Sequence, residues 1–202
     1  MQNDYLSWRE GLIDRTEYLD ILYALKSIGA GRDDPVFELC AGAGGLIRFL
    51  RGKGYRRVSG CDIRGDGGAV LTCDLNKGLP GYAVAKYYVF QHCLEHLDQE
   101  AAENILRECM RRGEGVVGIL PGHMVGDPTH VVNHYHYEEV MKLARASKAE
   151  YVVVVPDMAS YVHPESRDWL LVLSHHPFKL KRPWWFVLAH RFMRRMLGAA
   201  TR

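Results

Sequence analysis

The sequence predicts an α/β fold: a doubly wound sheet of seven mostly parallel strands, with helices on both faces and the last strand antiparallel. Three observations predict it. Apolar runs alternate with stripes of helical period through the fifth run, the order of a parallel sheet built from crossovers. The first run, Val36 to Cys40, leads into a glycine-rich turn, Ala41-Gly42-Ala43-Gly44-Gly45, and the second ends in Asp62, 24 residues after Glu38. The last two runs are joined only by residues 157–167, short enough for a hairpin, which turns the seventh strand antiparallel at or near the sheet edge.

The elements follow in order. Asp14-Arg15-Thr16-Glu17 has the spacing of a capping box, and Leu19, Leu22 and Tyr23 then recur at helical intervals until Gly29 closes the helix. Strands are expected at 36–40, 57–62, 70–74, 87–93, 115–121, 150–157 and 168–175. The helix after the glycine turn carries Leu46, Phe49 and Leu50 toward the sheet. A later one carries Ala102, Ile105, Leu106 and Cys109, with Asp98 as its N-cap and Gly113 as its stop.

Size and composition agree with one domain. At 202 residues and 48% hydrophobic content the chain can bury a full core, here assigned to residues 1–176, with 177–202 as a basic tail. No stretch reaches the roughly 18 apolar residues of a membrane span, and the N-terminus lacks a basic region followed by an apolar run, so a cytoplasmic protein is expected. The five cysteines form no Cys-x-x-Cys pair and fall mostly in predicted strands, where a thiol acts as a small hydrophobe; no disulfides and no metal knuckle are expected.

The glycine turn carries the chemistry. A strand, a glycine-rich turn, a helix, and a second strand ending in an acid present a ribose-binding carboxylate beside a backbone-lined cradle. A pyrophosphate fingerprint needs a third glycine where this chain has Ile47. Glu38 would repel the pyrophosphate that a helix N-terminus attracts, but would welcome an ammonium group. An adenosine joined to a cationic amino acid satisfies both acids, and S-adenosylmethionine is such a ligand. A tight turn with close helix packing is the alternative use of the glycines.

On these residues the chain resembles the class I S-adenosylmethionine-dependent methyltransferases, whose motif runs acid-x-Gly-x-Gly-x-Gly and here reads Glu38-x-Cys40-x-Gly42-x-Gly44, with Cys40 in place of the first glycine. Leu71 to Pro80, containing Asp74, resembles the family's third motif, and Tyr87 to Leu97 resembles its fourth strand and Leu-Glu-His-Leu segment. The resemblance covers residues 34–176 and implies a Rossmann-like domain with S-adenosylmethionine as cofactor. It assigns Asp62 with Ile63 to the ribose, Asp74 with Leu75 to the adenine, and Glu38, Cys40, Ala41, Gly42 and Gly44 to the methionine end, with Gln91 and His92 at the same edge. Helix capping is the alternative role of Asp62 and Asp74.

A sulfonium methyl is already activated, so positioning of the acceptor does most of the work and a base is optional. His130 and His134 are the candidate catalytic residues, in a Thr129-to-Tyr135 segment that resembles one lining the family's acceptor pocket ahead of a helix, here Tyr137, Val140, Met141 and Ala144. His136 as a helix cap and the others as solvated loop residues compete with that role. A metal cluster of His96, Asp127, His130 and His134 matches no standard ligand spacing, so no metal is assigned. Glu95 and His96 are expected to cap and pack locally.

After Asp168 the chain has no acid and seven Lys or Arg, against +2 for the whole and thus −5 for the remainder. Trp185, Leu188, Ala189, Phe192 and Met196 share one face of a helix whose other face carries His190, Arg191, Arg194 and Arg195. Such a helix docks on its own domain, pairs two copies in a homodimer, or makes peripheral contact with an anionic membrane. Nucleic acid is disfavoured: no nucleic-acid module is present, and neither the Pro-Cys nucleophile nor the Asp-Pro-Pro-Tyr tetrapeptide of base methylation occurs. The expected activity is methyl transfer to O or N of a small-molecule, glycan or lipid-linked acceptor. A binding protein that has lost transfer activity and a nucleotide-dependent oxidoreductase are the alternatives.

Overall fold

The apolar runs are strands because β-branched and aromatic residues fill them and turn residues bound them. In the computed structural model, which describes residues 16–65, 67–122, 131–132, 135–157 and 168–181, they are β1 (Val36–Leu39), β2 (Val58–Asp62), β3 (Val70–Thr72), β4 (Tyr87–Gln91), β5 (Gly115–Leu120), β6 (Tyr151–Pro156) and β7 (Trp169–Ser174). All seven expected strands are present, each within two residues of its predicted bounds. One sheet holds them in the order β3-β2-β1-β4-β5-β7-β6. The first five are parallel, and β7 runs antiparallel to both β5 and β6, lying one strand in from the edge.

Strands buried on both faces read as continuous apolar runs, and β4 shows why. Tyr88 and Phe90 point into one layer with Leu106, Met110 and Val140, while Tyr87 and Val89 point into the other with Ile21, Leu25 and Leu50. The first layer is covered by α3 (Gln99–Arg112) and α4 (Tyr137–Ala146), the second by α1 (residues 16–27) and α2 (Gly45–Gly52). Asp98 caps α3 as expected, accepting from the Ala101 N–H at 2.7 Å, and Gly113 ends it. His136 is the N-cap residue of α4, its N–H donating to the Glu139 carboxylate at 2.7 Å. Two stripes differ in detail from the expectation. Ile47 and Leu143 are buried, whereas Phe49 and Met141 are half-buried and Tyr137 is exposed, because a short helix tilts its apolar face toward whichever neighbour is nearest.

Gly118 lies at the middle of this packing. A Cβ there would collide with the ring of Phe90, which is wholly buried and has nowhere to move. Gly118→Ala should therefore cost ~1–3 kcal/mol of stability through overpacking, read as a lower urea midpoint at unchanged slope. An unaltered midpoint would show that the Phe90 ring yields freely.

The expectation of no disulfides is corrected. Cys40 is bonded to Cys93 and Cys61 to Cys73, with Cα separations of 5.4 Å and 5.6 Å, leaving Cys109 as a buried free thiol. Parity and local spacing register only neighbours in sequence. These partners are brought together by strand pairing, β1 beside β4 and β2 beside β3.

The N-terminal helix runs over residues 16–27 and is closed by Gly29, whose φ is +88°; Asp14 and Arg15 of its expected capping box lie outside the described residues. The tail begins as extended chain: Phe178 and Leu180 pack on the α1 layer and the Lys181 N–H donates to Ser27 Oγ at 2.9 Å. The predicted amphipathic helix beyond it, from Trp185 to Met196, lies outside the described residues. Among the described residues no helix is long and apolar enough to cross a membrane.

Candidate functional site

The chain leaves β3 and crosses to β4 on the far side of β1, so the order of strands reverses between β1 and β4, and ligands in such sheets bind at the carboxyl ends of the strands beside that reversal. A cavity of about 460 Å³ opens there, lined by Cys40, Gly42, Asp62, Ile63, Arg64, Cys73, Asp74, Leu75, Asn76, His92, His96 and Leu97. Its volume suits a ligand of nucleoside-cofactor size.

The glycine turn is shaped for backbone approach. Gly42 and Gly44 have φ of +50° and +72°, and a Cβ on Gly42 would meet nothing within 4 Å: the space beside its backbone is open. Cys40 adopts φ +51° despite its side chain, at a cost of roughly 1–2 kcal/mol. Its backbone thus lies in the left-handed region that glycine favours. His92, at the end of β4, is also left-handed, with φ +49°.

Asp62 pins the turn: its two carboxylate oxygens accept from the Gly42 N–H at 2.9 Å and the Arg64 N–H at 3.0 Å. Each oxygen keeps a lone pair for a hydroxyl donor. Beside it Ile63 is 66% exposed, an apolar surface for a flat ring or sugar. Asp74 does cap a short 3₁₀ turn, Leu75–Lys77, accepting from the Asn76 N–H at 3.1 Å. The Lys77 ammonium, 3.3 Å away, and that N–H hold its carboxyl below the ordinary carboxylate range. Capping and cavity lining are combined in one residue.

Of the eleven residues expected to hold a cofactor, Cys40, Gly42, Asp62, Ile63, Asp74, Leu75 and His92 line the cavity; Glu38, Ala41, Gly44 and Gln91 do not. Glu38 is buried behind the turn. Desolvation pushes its carboxyl up to about 8, the Ile47 N–H at the start of α2 opposing the rise and the Asp62 charge adding to it. Its Oε2 has no hydrogen-bond partner among the described residues, a buried acceptor that an ammonium donor would satisfy. Gln91 turns the other way, donating to Glu17 on α1. His130 and His134 lie outside the described residues, as does Asp127.

The sequence reading missed the buried acids packed behind His92. His92 Nε2 lies 3.3 Å from Glu17 Oε1, and His92 Nδ1 lies 3.4 Å from Glu95 Oε1. Burial alone would lower the His92 pKa, but the Glu17 hydrogen bond and the nearby charges of Glu17 and Glu95 outweigh it and hold the ring well above 6.5. Asp168, just before β7, accepts from the Gly122 N–H at 3.1 Å. Glu17 was placed only as part of a capping box and Glu95 as a local cap. The available signal was the position of Glu95 and Asp168 beside strand ends in otherwise apolar stretches.

No protein family matches the chain by sequence, and no curated protein does. Solved structures do match. The methyltransferase domain of bacterial CtHen1 superposes with a TM-score of 0.62 at 16% identity, covering 80% of this chain and 99% of that one. The fold is the class I methyltransferase fold. A SAM-dependent methyltransferase from Archaeoglobus fulgidus gives 0.59 at 17% identity over 82% of this chain and 94% of that one. The pyocyanin biosynthetic protein PhzM gives 0.59 at 14% identity over 81% of this chain, which spans only 55% of PhzM. Within the class I methyltransferase fold the cavity described above occupies the switch point, and α1 with its acidic residues packs beside β4.

Proposed function

We propose that this chain is an S-adenosylmethionine-dependent methyltransferase acting on O or N of a small-molecule, glycan or lipid-linked acceptor. The observation that carries the reading is the convergence of Asp62, Asp74 and the left-handed Gly42 on one cavity at the β1–β4 reversal. Asp62 would accept from the ribose hydroxyls and Asp74 from the adenine amino group, with Leu75 and Ile63 against the apolar faces. Glu38, behind the turn and protonated up to about pH 8 without ligand, would have to ionise to offset the positive amino-acid end.

The bound cofactor would supply a methyl group on a cationic sulfur. Transfer of that methyl to the acceptor O or N would leave S-adenosylhomocysteine neutral at sulfur, and the chain's own part would be to hold the two reactants in line. The acceptor's proton would pass to water; His92, which lines the cavity, is held toward its protonated form by Glu17 and Glu95, both buried behind it. The small-molecule acceptor is favoured by the likeness to a Burkholderia thailandensis 1,6-didemethyltoxoflavin N1-methyltransferase, TM-score 0.56 at 17% identity over 85% of each chain.

Calorimetry with S-adenosylhomocysteine, followed by transfer of a labelled methyl group across broad acceptor pools, tests the proposal. Binding and a labelled product are expected. Binding with no product in any pool would make the chain a methyltransferase-fold binding protein, and tighter binding of a nicotinamide dinucleotide than of S-adenosylhomocysteine would make it an oxidoreductase.

A further inference from the structure

Glu17 from α1, His92 from the end of β4 and Asp168 from the start of β7 each offer a ligand atom, and these atoms lie within 4.8 Å of one another. Glu17 is wholly buried and Asp168 nearly so. Ligand atoms bonded to one ion at 2.0–2.2 Å cannot be further than about 4.4 Å apart, so a small closing movement brings all three into one coordination sphere. The three elements converge from separate parts of the chain, which distinguishes this cluster from acids scattered along one helix.

A second observation concerns the orientation of His92. Glu95 is wholly buried, and neither of its oxygens accepts a hydrogen bond among the described residues. Its Oε1 lies 3.4 Å from Nδ1 of His92, on the opposite side of the ring from Glu17. A carboxylate on one imidazole nitrogen is the arrangement that fixes the tautomer and turns the other nitrogen's lone pair toward a metal. Here that other nitrogen, Nε2, faces Glu17. Gln91 donates to the same Glu17 carboxylate and holds it in place.

We propose that Glu17, His92 and Asp168 bind one first-row divalent cation such as Mn²⁺, Fe²⁺, Co²⁺ or Zn²⁺, with Glu95 as the positioning residue of His92. One imidazole and two carboxylates form a mixed nitrogen and oxygen set of the kind these ions take. Three protein ligands leave coordination positions open, and one of them, His92, also lines the cavity. The site does not rest on methyl transfer: a chain that binds the ion but not S-adenosylhomocysteine retains it, and the reverse outcome removes the ion site alone.

The test uses the full chain, stripped with chelator and titrated with Mn²⁺, the bound ion read by electron paramagnetic resonance and calorimetry. One ion per chain is expected, with selective broadening of the His92 ring signals in the NMR spectrum of the wild-type protein. Glu17→Gln and Asp168→Asn should each weaken binding at least tenfold, and Glu95→Gln by about 10–100-fold, the usual effect of losing an outer partner. Circular dichroism and melting establish that each variant is folded, and should one fail to fold, the wild-type His92 broadening decides. No uptake at free Mn²⁺ or Zn²⁺ up to about 1 mM, the weak end of protein cation sites, overturns the proposal. So does uptake that leaves His92 unbroadened, or that folded Glu17→Gln and Asp168→Asn proteins share unchanged, which marks an adventitious ion only.

Discussion

Replacing Glu38 with Gln will flatten the dependence of stability on pH between 4.5 and about 8. The carboxyl sits in β1 between β2 and β4, 4% exposed, where its backbone passes so close to β2 that a Cβ on Gly60 would come within 2.6 Å of the Glu38 carbonyl. Burial raises its pKa from 4.5 to about 8, against the opposing Ile47 N–H. The folded chain therefore holds a proton that the unfolded chain has released throughout that window, so stability falls as pH rises. The loss is about 1.4 kcal/mol per pH unit and is on the order of 5 kcal/mol at most across the window. Gln keeps an acceptor for Ile47 and has no charge to desolvate. Urea unfolding at steps across the window should show a descending profile for the wild type and, from this group, a level one for the variant. Equal slopes would mean that the Glu38 carboxyl ionises without penalty.

Asp62→Ala removes two things at once, the acceptor we propose for a ribose and the anchor that fixes Gly42 and Arg64. Affinity for S-adenosylhomocysteine should fall by roughly 10–100-fold, about 1–3 kcal/mol, as when charge-assisted hydrogen bonds are lost. Asp62→Asn, which retains one acceptor oxygen, should fall between the two. Calorimetry on folded protein reads both, and an unchanged dissociation constant for the alanine variant would take Asp62 out of the site.

The fold was legible because its determinants are local in sequence: period-two and period-3.6 patterns, Asp98 before a helix, Gly113 after it. The Asp62 and Asp74 side of the cavity was legible for the same reason. Asp62 and Asp74 end or follow strands that begin at recognisable apolar runs, and both reach the predicted edge. What escaped was decided by pairing across the sheet. Nothing near Cys61 in sequence announces Cys73 as a partner; the β2–β3 register does. Gln91 has the period-two position of a cavity residue, yet Glu17 draws its amide toward α1. Glu17 and Asp168 stand 151 positions apart, and only the packing of α1 on the sheet beside β4 and the pairing of β7 with β5 make them neighbours.

The placement of β7 between β5 and β6 bears on biosynthesis. A chain emerging from the ribosome completes its first five strands in sequence, but β6, although made next, has no berth of its own because its neighbour in the sheet is still unmade. Until Trp169 to Ser174 appears, β5 presents a bare row of amides and carbonyls and the valines of β6 hang unpaired, the kind of open edge that invites adhesion between chains. A message truncated just short of that last strand should yield inclusion bodies in place of a smaller working protein.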